Sequence, residues 1–481
     1  MKRKIINLEI NEISPEILKN YISSKRNINK VISKLYKNKL LKIYTTKALD
    51  VEKKKLYPSQ TWASFHTGKP FSEHKCYWYS DSLESNYLIW DKLASKNKSV
   101  GIISSIHSSK VPNDLIENKN LKFYLPDCFG DKEITKPIKY KEFNSFNNSL
   151  VGKSARITGL KAIYKSLFKN IFFILKSPSS FGISFFSIKL IIKILYYAIK
   201  NKNKEFLRMA QFPLIASIYF DLIKKFKPDY SAIFSNHIAG NMHRYWYAHD
   251  TSSFLDKNKY PKNWIRKNAD AINISIDLLD DFLGLIIKRK VFQDFTICIT
   301  SSMGQEPNPD FDNKYLSKYD GKIVNMEIFL ESLSTYLNNT LDFTFKFNIE
   351  RNMAPQYGFN FQGNENLDLD LVKSHLCQFV TEIGLKNKVD RISNSIVLTL
   401  DPSKDSNLQN KFNLNEANKN YEKYGIKFFA VEDHHSGSHT PEGLLALINP
   451  SDVLQNEIDN VIDEKESLNY LEFHKIILSS I

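Results

Sequence analysis

Three histidines stand within six residues near the end of the chain, in the stretch HHSGSHTPEG (434–443), although the 481-residue sequence has only 11 histidines. Imidazole nitrogens bind metal ions, pair with acidic groups and exchange protons near neutral pH. The cluster is therefore compatible with a metal site, a phosphate site or an ordinary solvated loop. Residues elsewhere in the chain must distinguish these alternatives.

A second stretch, LYPSQTWASFHTGKPFSEHK (56–75), is rich in hydroxyl groups, with Ser59 and Thr61 at its start. A hydroxyl at the N-terminus of a helix is well placed to attack a phosphate, because the free N–H groups and the helix dipole favour an anion there. Ser and Thr are also ordinary N-caps. The stretch by itself is compatible with either role.

The elements that must position these residues alternate between short apolar runs and amphipathic segments. The runs predicted as strands are residues 4–10, 39–48, 99–106, 229–236, 294–302, 395–400 and 426–433, and the helical segments include 86–98, 268–290 and 324–339. Most of the runs are continuously apolar, which is typical of strands buried on both faces. The alternation predicts an α/β fold with a mostly parallel central sheet flanked by helices.

Ligands of such sheets bind at the carboxyl ends of the strands. The polar residues that follow the predicted strands are therefore the candidates for a site. They are Glu9, Asn11 and Glu12, then His107 and Lys110, Asn236 and His237, Ser301, Ser302 and Gln305, and residues 432–435.

Residues 164–226 interrupt the alternation, and within them 164–200 is apolar but carries Lys189, Lys193 and Lys200. A central lysine costs roughly 2.5–3.5 kcal/mol in a membrane span, so a span is disfavoured. We prefer a helical cap packed over the sheet, and the alternative is an amphipathic helix on an anionic membrane surface. The predicted division is residues 1–125 and 229–481 for the two parts of an α/β core, with a mainly helical insertion at 126–228.

The composition favours a cytoplasmic globular protein. Hydrophobic residues make up 42%, the net charge is +15, and the four cysteines form no CxxC pair. The apolar run after the basic start MKRKIINLEINE is too short for a signal peptide. Because no nucleic-acid motif accompanies the lysines, we expect no nucleic-acid partner, and we expect instead an anionic small-molecule or glycan-linked substrate and a cytoplasmic location, with peripheral membrane contact through 164–200 as the alternative to the cap. The sequence does not specify an oligomeric state.

Four segments follow the order and spacing of landmarks in one enzyme family. They are residues 56–75, then KPDYSAIFSNHIAGNMHRYW (227–246), DFTICITSSMGQEP (294–307) and DHHSGSHTPEGLLALINP (433–450). They resemble the alkaline phosphatase superfamily, in its type I phosphodiesterase and nucleotide pyrophosphatase-like branch. The resemblance covers nearly the whole chain except the insertion. It implies a nucleophile in the first segment and two divalent cations held by Asp and His from the other three.

The metal ligands that this resemblance implies are only partly present. His439 matches the C-terminal zinc-binding His, and His243 matches the His of Asp-x-x-x-His, but Ala239 stands at the Asp of that motif. Ser302 and Met303 replace the Asp-His pair after a later strand. Because three donors are missing and catalytic zinc keeps at least three protein ligands, we do not expect the two-metal site.

One divalent metal, Zn or Mn, remains compatible with the sequence, held by the two matching histidines and one further donor. The candidates for that donor are Glu9, Glu12, Asp433, His434 and His435. The nucleophile is Thr61 or Ser59, and the residues predicted to bind substrate are Asn236, His237, Ser302, Gln305 and His107.

The resemblance implies a hydrolase or transferase that acts on a phosphate- or sulfate-type ester, with a glycan-linked or nucleotide-linked precursor as the suggested substrate. The missing ligands support an alternative, a catalytically inactive member that binds an anionic ligand or partner.

Overall fold

The computed structural model describes residues 3–49, 56–79, 81, 83, 88–110, 113–129, 134–151, 168, 170–309, 311, 319–340, 346–350, 356–362, 368–385, 388–392, 395–400, 413–430, 435–465 and 467–481. In chain order the strands are β1 Lys4–Ile10, β2 Leu41–Lys47, β3 Val100–Ile103, β4 Leu121–Leu125, β5 Tyr230–Ser235, β6 Phe295–Ser301, β7 Gly304–Pro307, β8 Tyr319–Ile323, β9 Lys346–Glu350, β10 Gln356–Gln362, β11 Lys388–Ile392, β12 Ser395–Thr399, β13 Ile426–Ala430, β14 Gly437–Thr440, β15 Glu442–Ile448 and β16 Leu468–Asn469.

An eight-stranded sheet in the order β16-β2-β15-β6-β1-β5-β3-β4 forms the centre of the molecule. The strands from β6 to β4 pair in parallel, and β15 lies antiparallel between β2 and β6. Strand β1 is buried from its second residue onward, which agrees with its mainly apolar sequence, and it also buries Asn7 and Glu9. The predicted mostly parallel α/β fold is confirmed.

Helices cover both faces of this sheet. One face packs against the helices Pro15–Ser23, Val31–Lys37, Gln211–Phe226, His237–His249 and Ala271–Ile287. The other face packs against Pro58–Thr67, Ile89–Ser95, Asp452–Lys465 and Tyr470–Ser480. The apolar stripe of each helix is thereby removed from water, which is the main source of the stability of such layers. The remaining helices are Phe71–His74, Asn113–Glu117, Lys141–Val151, Ile171–Lys176, Phe185–Lys200, Lys262–Asn268, Met326–Thr340, Leu369–Glu382 and Leu414–Glu422.

A smaller antiparallel sheet, in the order β11-β12-β10-β9, has a hydrophobic core of its own within residues 319–430. The predicted strand segments 395–400 and 426–433 form β12 and β13, but β12 lies in this sheet and β13 pairs with β8. Both segments therefore lie outside the parallel sheet. A short apolar run predicts burial, and it does not determine which strand it pairs with.

The helical region before β5 is built in two layers. Helix Gln211–Phe226 packs on the sheet and buries Ile215, Ile218 and Tyr219. The helical stretch Lys204–Phe226 is long and apolar enough to cross a membrane, yet 67% of its apolar window is buried inside the protein. Helix Phe185–Lys200 packs outside it, through Leu190, Ile194 and Ala198. The division at residues 126 and 228 stays a prediction, and residues 152–167 and 169 lie outside the described residues.

Candidate functional site

Three side chains from distant parts of the chain meet at the carboxyl end of the central strands. Glu12 Oε2 lies 2.8 Å from His243 Nε2 and 3.3 Å from His439 Nε2. One ligand atom from each residue lies within 4.8 Å of the other two. The Glu12 side chain is 4% exposed and each imidazole 21% exposed, and His439 Nε2 is buried without a hydrogen-bond partner among the described residues.

The order of the sheet explains this convergence. Glu12 follows β1 and adopts a positive φ of 60°, which turns the chain at the strand end. His243 lies on the second turn of helix His237–His249, which follows β5, the neighbour of β1 on one side. His439 lies on β14, which pairs with β7 after β6, the neighbour on the other side. All three residues are thus carried to one edge.

Each imidazole is held through its other nitrogen by a backbone carbonyl. His243 Nδ1 lies 3.2 Å from the Gly437 oxygen, and His439 Nδ1 lies 2.7 Å from the Leu56 oxygen. A carbonyl only accepts hydrogen bonds, so Nδ1 carries the proton in both rings and Nε2 faces Glu12. In the neutral rings two nitrogen lone pairs then face a carboxylate, an arrangement that a proton or a metal cation must stabilise.

The carboxylate of Glu12 is supported from two further sides. Asn11 Nδ2 donates to Glu12 Oε1 at 2.7 Å and to Asn236 Oδ1 at 2.8 Å. Gln305 Nε2 donates to Glu12 Oε2 and, at 3.2 Å, to the Ala239 oxygen. These bonds fix the carboxylate between helix His237–His249 and β7.

Charge interactions in the cluster favour an ionised carboxylate. Burial would raise the pKa of Glu12, but His439 and His243 hold that pKa well below its usual range. Burial would lower the pKa of His439, but the negative charge of Glu12 raises it above the usual value. The cluster therefore presents one fixed negative charge to two imidazoles.

The donors fit one metal ion. Two imidazoles and one carboxylate are a ligand set of catalytic zinc, which leaves a further position for water or substrate. In the described part of the chain this is the one group of three or more such donors. At the other positions where the family resemblance implies ligands, Ala239, Ser302 and Met303 are buried and provide neither carboxylate nor imidazole. These three positions therefore offer no ligand for a second metal.

Glu9, a candidate ligand, lies apart from this cluster. Its Oε1 lies 3.1 Å from His66 Nε2, and both side chains are fully buried. Asn7 Nδ2 also contacts this oxygen, at 3.3 Å. The pair joins β1 to helix Pro58–Thr67. His435 lies closer to the cluster, with its ring centre 5.2 Å from that of His243, whereas Asp433 and His434 lie outside the described residues.

The two candidate nucleophiles occupy different surroundings. Thr61 Oγ1 lies 2.7 Å from Ser302 Oγ, after β6. Ser59 Oγ donates to the Tyr77 oxygen at 2.5 Å, and the Ser59 carbonyl lies 2.8 Å from His107 Nε2. The hydroxyl of Ser59 is therefore bound to a backbone oxygen, and His107 contacts the backbone oxygen of Ser59 rather than its hydroxyl.

The helix that carries Thr61 is attached to the cluster at two points. Trp62 Nε1 donates to Asn11 Oδ1 at 2.9 Å, and the Leu56 carbonyl before the helix holds His439. Thr61 also lines a crevice of about 10 Å³ with Ser64 and Tyr470. Trp62 and Leu56 thus link this helix region to the cluster, whereas the crevice beside Thr61 is lined by none of Glu12, His243 and His439.

His237 is placed away from the cluster. Its Nδ1 lies 2.8 Å from Ser235 Oγ, its Nε2 3.1 Å from the Ser275 oxygen, and its ring stacks on Phe212 at 3.9 Å. Burial lowers the pKa of this imidazole to about 3. Both nitrogens bond to protein, so the geometry supports a packing role for this residue.

Asn11, which the sequence offered only as one of the polar residues at a strand end, makes several contacts at the site. It links Glu12, Asn236 and Trp62 by side-chain hydrogen bonds. Its position in the sequence, directly after β1 and beside Glu12, already indicates that it lies at the ligand-binding edge of the sheet. The Glu9 partner His66 gives no such signal, because only the packing of helix Pro58–Thr67 on the sheet brings them together.

No family model matches the sequence, and no curated protein matches it. Among solved structures, murine ectonucleotide pyrophosphatase/phosphodiesterase 5 matches at 10% identity and a TM-score of 0.37, covering 99% of this chain and 94% of that chain. An inactive form of it in complex with AMP gives 10% identity and 0.38, with 99% and 95% covered. A TAB5 alkaline phosphatase mutant with Mg bound gives 10% and 0.34, with 100% and 98% covered. Similarity at this level establishes no activity for this chain.

Proposed function

We propose that this chain is a hydrolase or transferase of phosphate- or sulfate-type esters that uses a single divalent metal, Zn or Mn, held by Glu12, His243 and His439. The observation that carries the proposal is the meeting of the two imidazole Nε2 atoms and one carboxylate, with a buried hydroxyl on an element attached to them. Such a metal, when bound, supplies a Lewis acid for the ester oxygens.

The hydroxyl of Thr61 is the proposed nucleophile. It lies in the first turns of helix Pro58–Thr67, where the helix dipole favours an anionic group. In the proposed step Thr61 Oγ1 bonds to phosphorus or sulfur, the bond to the ester oxygen breaks, and the departing oxygen takes up the Thr61 proton. Ser302 Oγ, at 2.7 Å, holds the Thr61 hydroxyl in place by a hydrogen bond. The amide of Asn236 is proposed to orient the substrate, with Gln305 acting through Glu12.

The substrate class is proposed from charge. A net charge of +15 attracts anionic esters. A nucleotide-linked or glycan-linked precursor fits this requirement, because its diphosphate or sulfate group is the part that the cluster would bind.

Metal content and turnover of the same preparation test the proposal. Protein purified without chelator should hold about one equivalent of Zn or Mn by elemental analysis, and it should hydrolyse an aryl phosphomonoester, phosphodiester or sulfate. His243→Ala and His439→Ala should each weaken metal binding by roughly 100-fold or more, since outer partners alone cost 10–100-fold. His375→Ala, on helix Leu369–Glu382, is the matched control. Metal-free wild type without turnover of any of the three esters would overturn the proposal.

A second candidate is an inactive anion-binding protein. Glu12 already accepts hydrogen bonds from Asn11 and Gln305 and faces His243 at 2.8 Å, so protein groups engage this carboxylate without a metal. This candidate predicts that calorimetry detects phosphate or sulfate binding to metal-free protein, that His243→Ala abolishes the binding, and that no ester is turned over.

A further inference from the structure

Helix Phe185–Lys200 presents a continuous apolar surface to solvent. Its exposed large side chains recur at helical spacing, and we call them the apolar face: Phe185, Ile188, Ile192, Leu195, Tyr196 and Ile199. Phe185 is 88% exposed and Ile199 76%. The short helix Ile171–Lys176 adds exposed Ile171, Phe172 and Leu175. Contiguous apolar surface of this kind marks an interaction site.

The charge around the apolar face has one sign. Residues 143–204 contain no Asp or Glu, while lysines recur through them. Lys176, Lys189, Lys200 and Lys202 are exposed. Lys193 differs, because it is bonded to Asp281 at 2.7 Å on the inner side of the helix. The outer side therefore combines apolar rings and aliphatic chains with unneutralised positive charge.

A groove opens at the C-terminal end of the apolar face. It has a volume of about 370 Å³ and an apolar wall of Leu195, Ala198 and Ile199. The rest of its lining comprises Lys202, Lys204 and Lys267 together with Asn203, Glu205 and Leu207, and we call this the lysine groove. No carboxylate among the described residues pairs with these lysines, and the acidic neighbour Glu205 is bonded to Arg208.

We propose that the apolar face lies on an anionic phospholipid membrane, with the phosphate of a lipid headgroup in the lysine groove and its acyl chains beside Leu195 and Ile199. Apolar burial and lysine attraction act together in this geometry, as in amphipathic helices at membrane surfaces. Charge complementarity selects this occupant, since a second copy of the chain would bring like charges together across the face.

Vesicle flotation of the full-length chain tests the assignment. Vesicles of phosphatidylcholine with one quarter phosphatidylglycerol should bind wild type at least roughly tenfold more tightly than pure phosphatidylcholine, and high salt should reduce the difference. Ile192→Asp, and the pair Lys202→Glu with Lys204→Glu, should each lower the binding by roughly tenfold.

Each matched control makes the same change in charge as its test variant, also at exposed positions, but far from the apolar face in the sequence. Leu371→Asp places the same charge on an exposed leucine of helix Leu369–Glu382, and Lys419→Glu with Lys423→Glu reverses two exposed lysines, one in helix Leu414–Glu422 and one directly after it. Both should bind like wild type, and circular dichroism should show that all variants are folded. Absence of binding to anionic vesicles, or binding that Ile192→Asp leaves unchanged, overturns the proposal. A dimer in light scattering that Ile192→Asp dissociates would assign the face to a second copy instead.

Discussion

At the scale of single residues, the site depends on which nitrogen of each imidazole faces Glu12. The carbonyls of Gly437 and Leu56 engage both Nδ1 atoms, so the chain presents both Nε2 atoms to the same carboxylate before any ligand arrives. This preorganisation reduces the entropy that metal binding would otherwise cost.

Thr61 gives a prediction about the chemical step. Thr61→Val should lower turnover by at least roughly 10³-fold, because the proposed nucleophile is removed, while the affinity for metal stays unchanged. Thr61→Ser should retain measurable turnover. Thr67→Val, on the same helix with its hydroxyl bonded to the Ala63 oxygen, is the control. Full activity in Thr61→Val would remove this residue from the mechanism.

Asp91 gives a prediction about pH. Its two carboxyl oxygens are buried without a hydrogen-bond partner among the described residues, and burial, with the charge of Asp114, raises its pKa to about 8. Because the pKa of Asp91 is higher in the folded chain than in the unfolded chain, the folded state favours the protonated carboxyl. The contribution of this protonated carboxyl to the free energy of unfolding is present at low pH and is lost as the pH rises from about 4 to 8.

Asp91→Asn, which cannot ionise, should therefore be more stable than wild type by about 1–3 kcal/mol at pH values above 8 and differ less at pH 5. Denaturant unfolding at both pH values measures this difference. Asp114→Asn, at an exposed position, should change the free energy of unfolding little at either pH. A gain in stability that is equal at both pH values would contradict the assignment.

At the scale of elements, two glycines near the cluster should respond in opposite ways. A Cβ at Gly437, on β14, would lie 2.5 Å from Gln305 Oε1 and 2.8 Å from the Met242 oxygen. Gly437→Ala should therefore cost about 1–3 kcal/mol in unfolding free energy. It should also weaken metal binding, because β14 carries His439.

Gly240 is the matched control, since its Cβ would meet only Arg244 Nη1 at 3.4 Å inside helix His237–His249. Gly240→Ala should stabilise the protein by about 0.5–1 kcal/mol. Thermal unfolding with and without Zn measures both effects. If Gly437→Ala and Gly240→Ala changed the unfolding temperature equally, with and without Zn, the close approach at Gly437 would not constrain β14.

The elements also show how far sequence could predict this molecule. Segments 4–10, 229–236 and 294–302 were predictable as buried strands, and the polar end of the first led to Glu12. His243 and His439 were named from the resemblance to the alkaline phosphatase superfamily. Side-chain alternation explains why Glu9 lies apart: in β1, Asn7 and Glu9 share one face, and Glu12 alone lies past the strand end. The contacts of His237 with Phe212 and Ser275 depend on distant helices, and no local pattern reports them.

At the scale of the whole molecule, the core within residues 319–430 and the core of the large sheet are separate. A cavity made in one should therefore affect stability and metal binding differently from a cavity made in the other. Leu376→Ala, in the core within residues 319–430, should cost about 2–5 kcal/mol in the unfolding of that region and leave metal affinity unchanged. Leu447→Ala, in β15, should destabilise the large sheet by a similar amount and weaken metal binding. Calorimetry together with metal titration distinguishes them, and loss of metal binding in Leu376→Ala would show that the two cores act as one.

Strand β15 lies in the interior of the large sheet although it comes from the last tenth of the chain. During synthesis, the edges of β2 and β6 that pair with β15 stay without this partner until β15 has been made. A chain that ends before residue 437 lacks β14, with His439, as well as β15, and it leaves the facing edges of β2 and β6 exposed, which makes it prone to aggregate. The last tenth of the chain therefore completes both the sheet and the cluster.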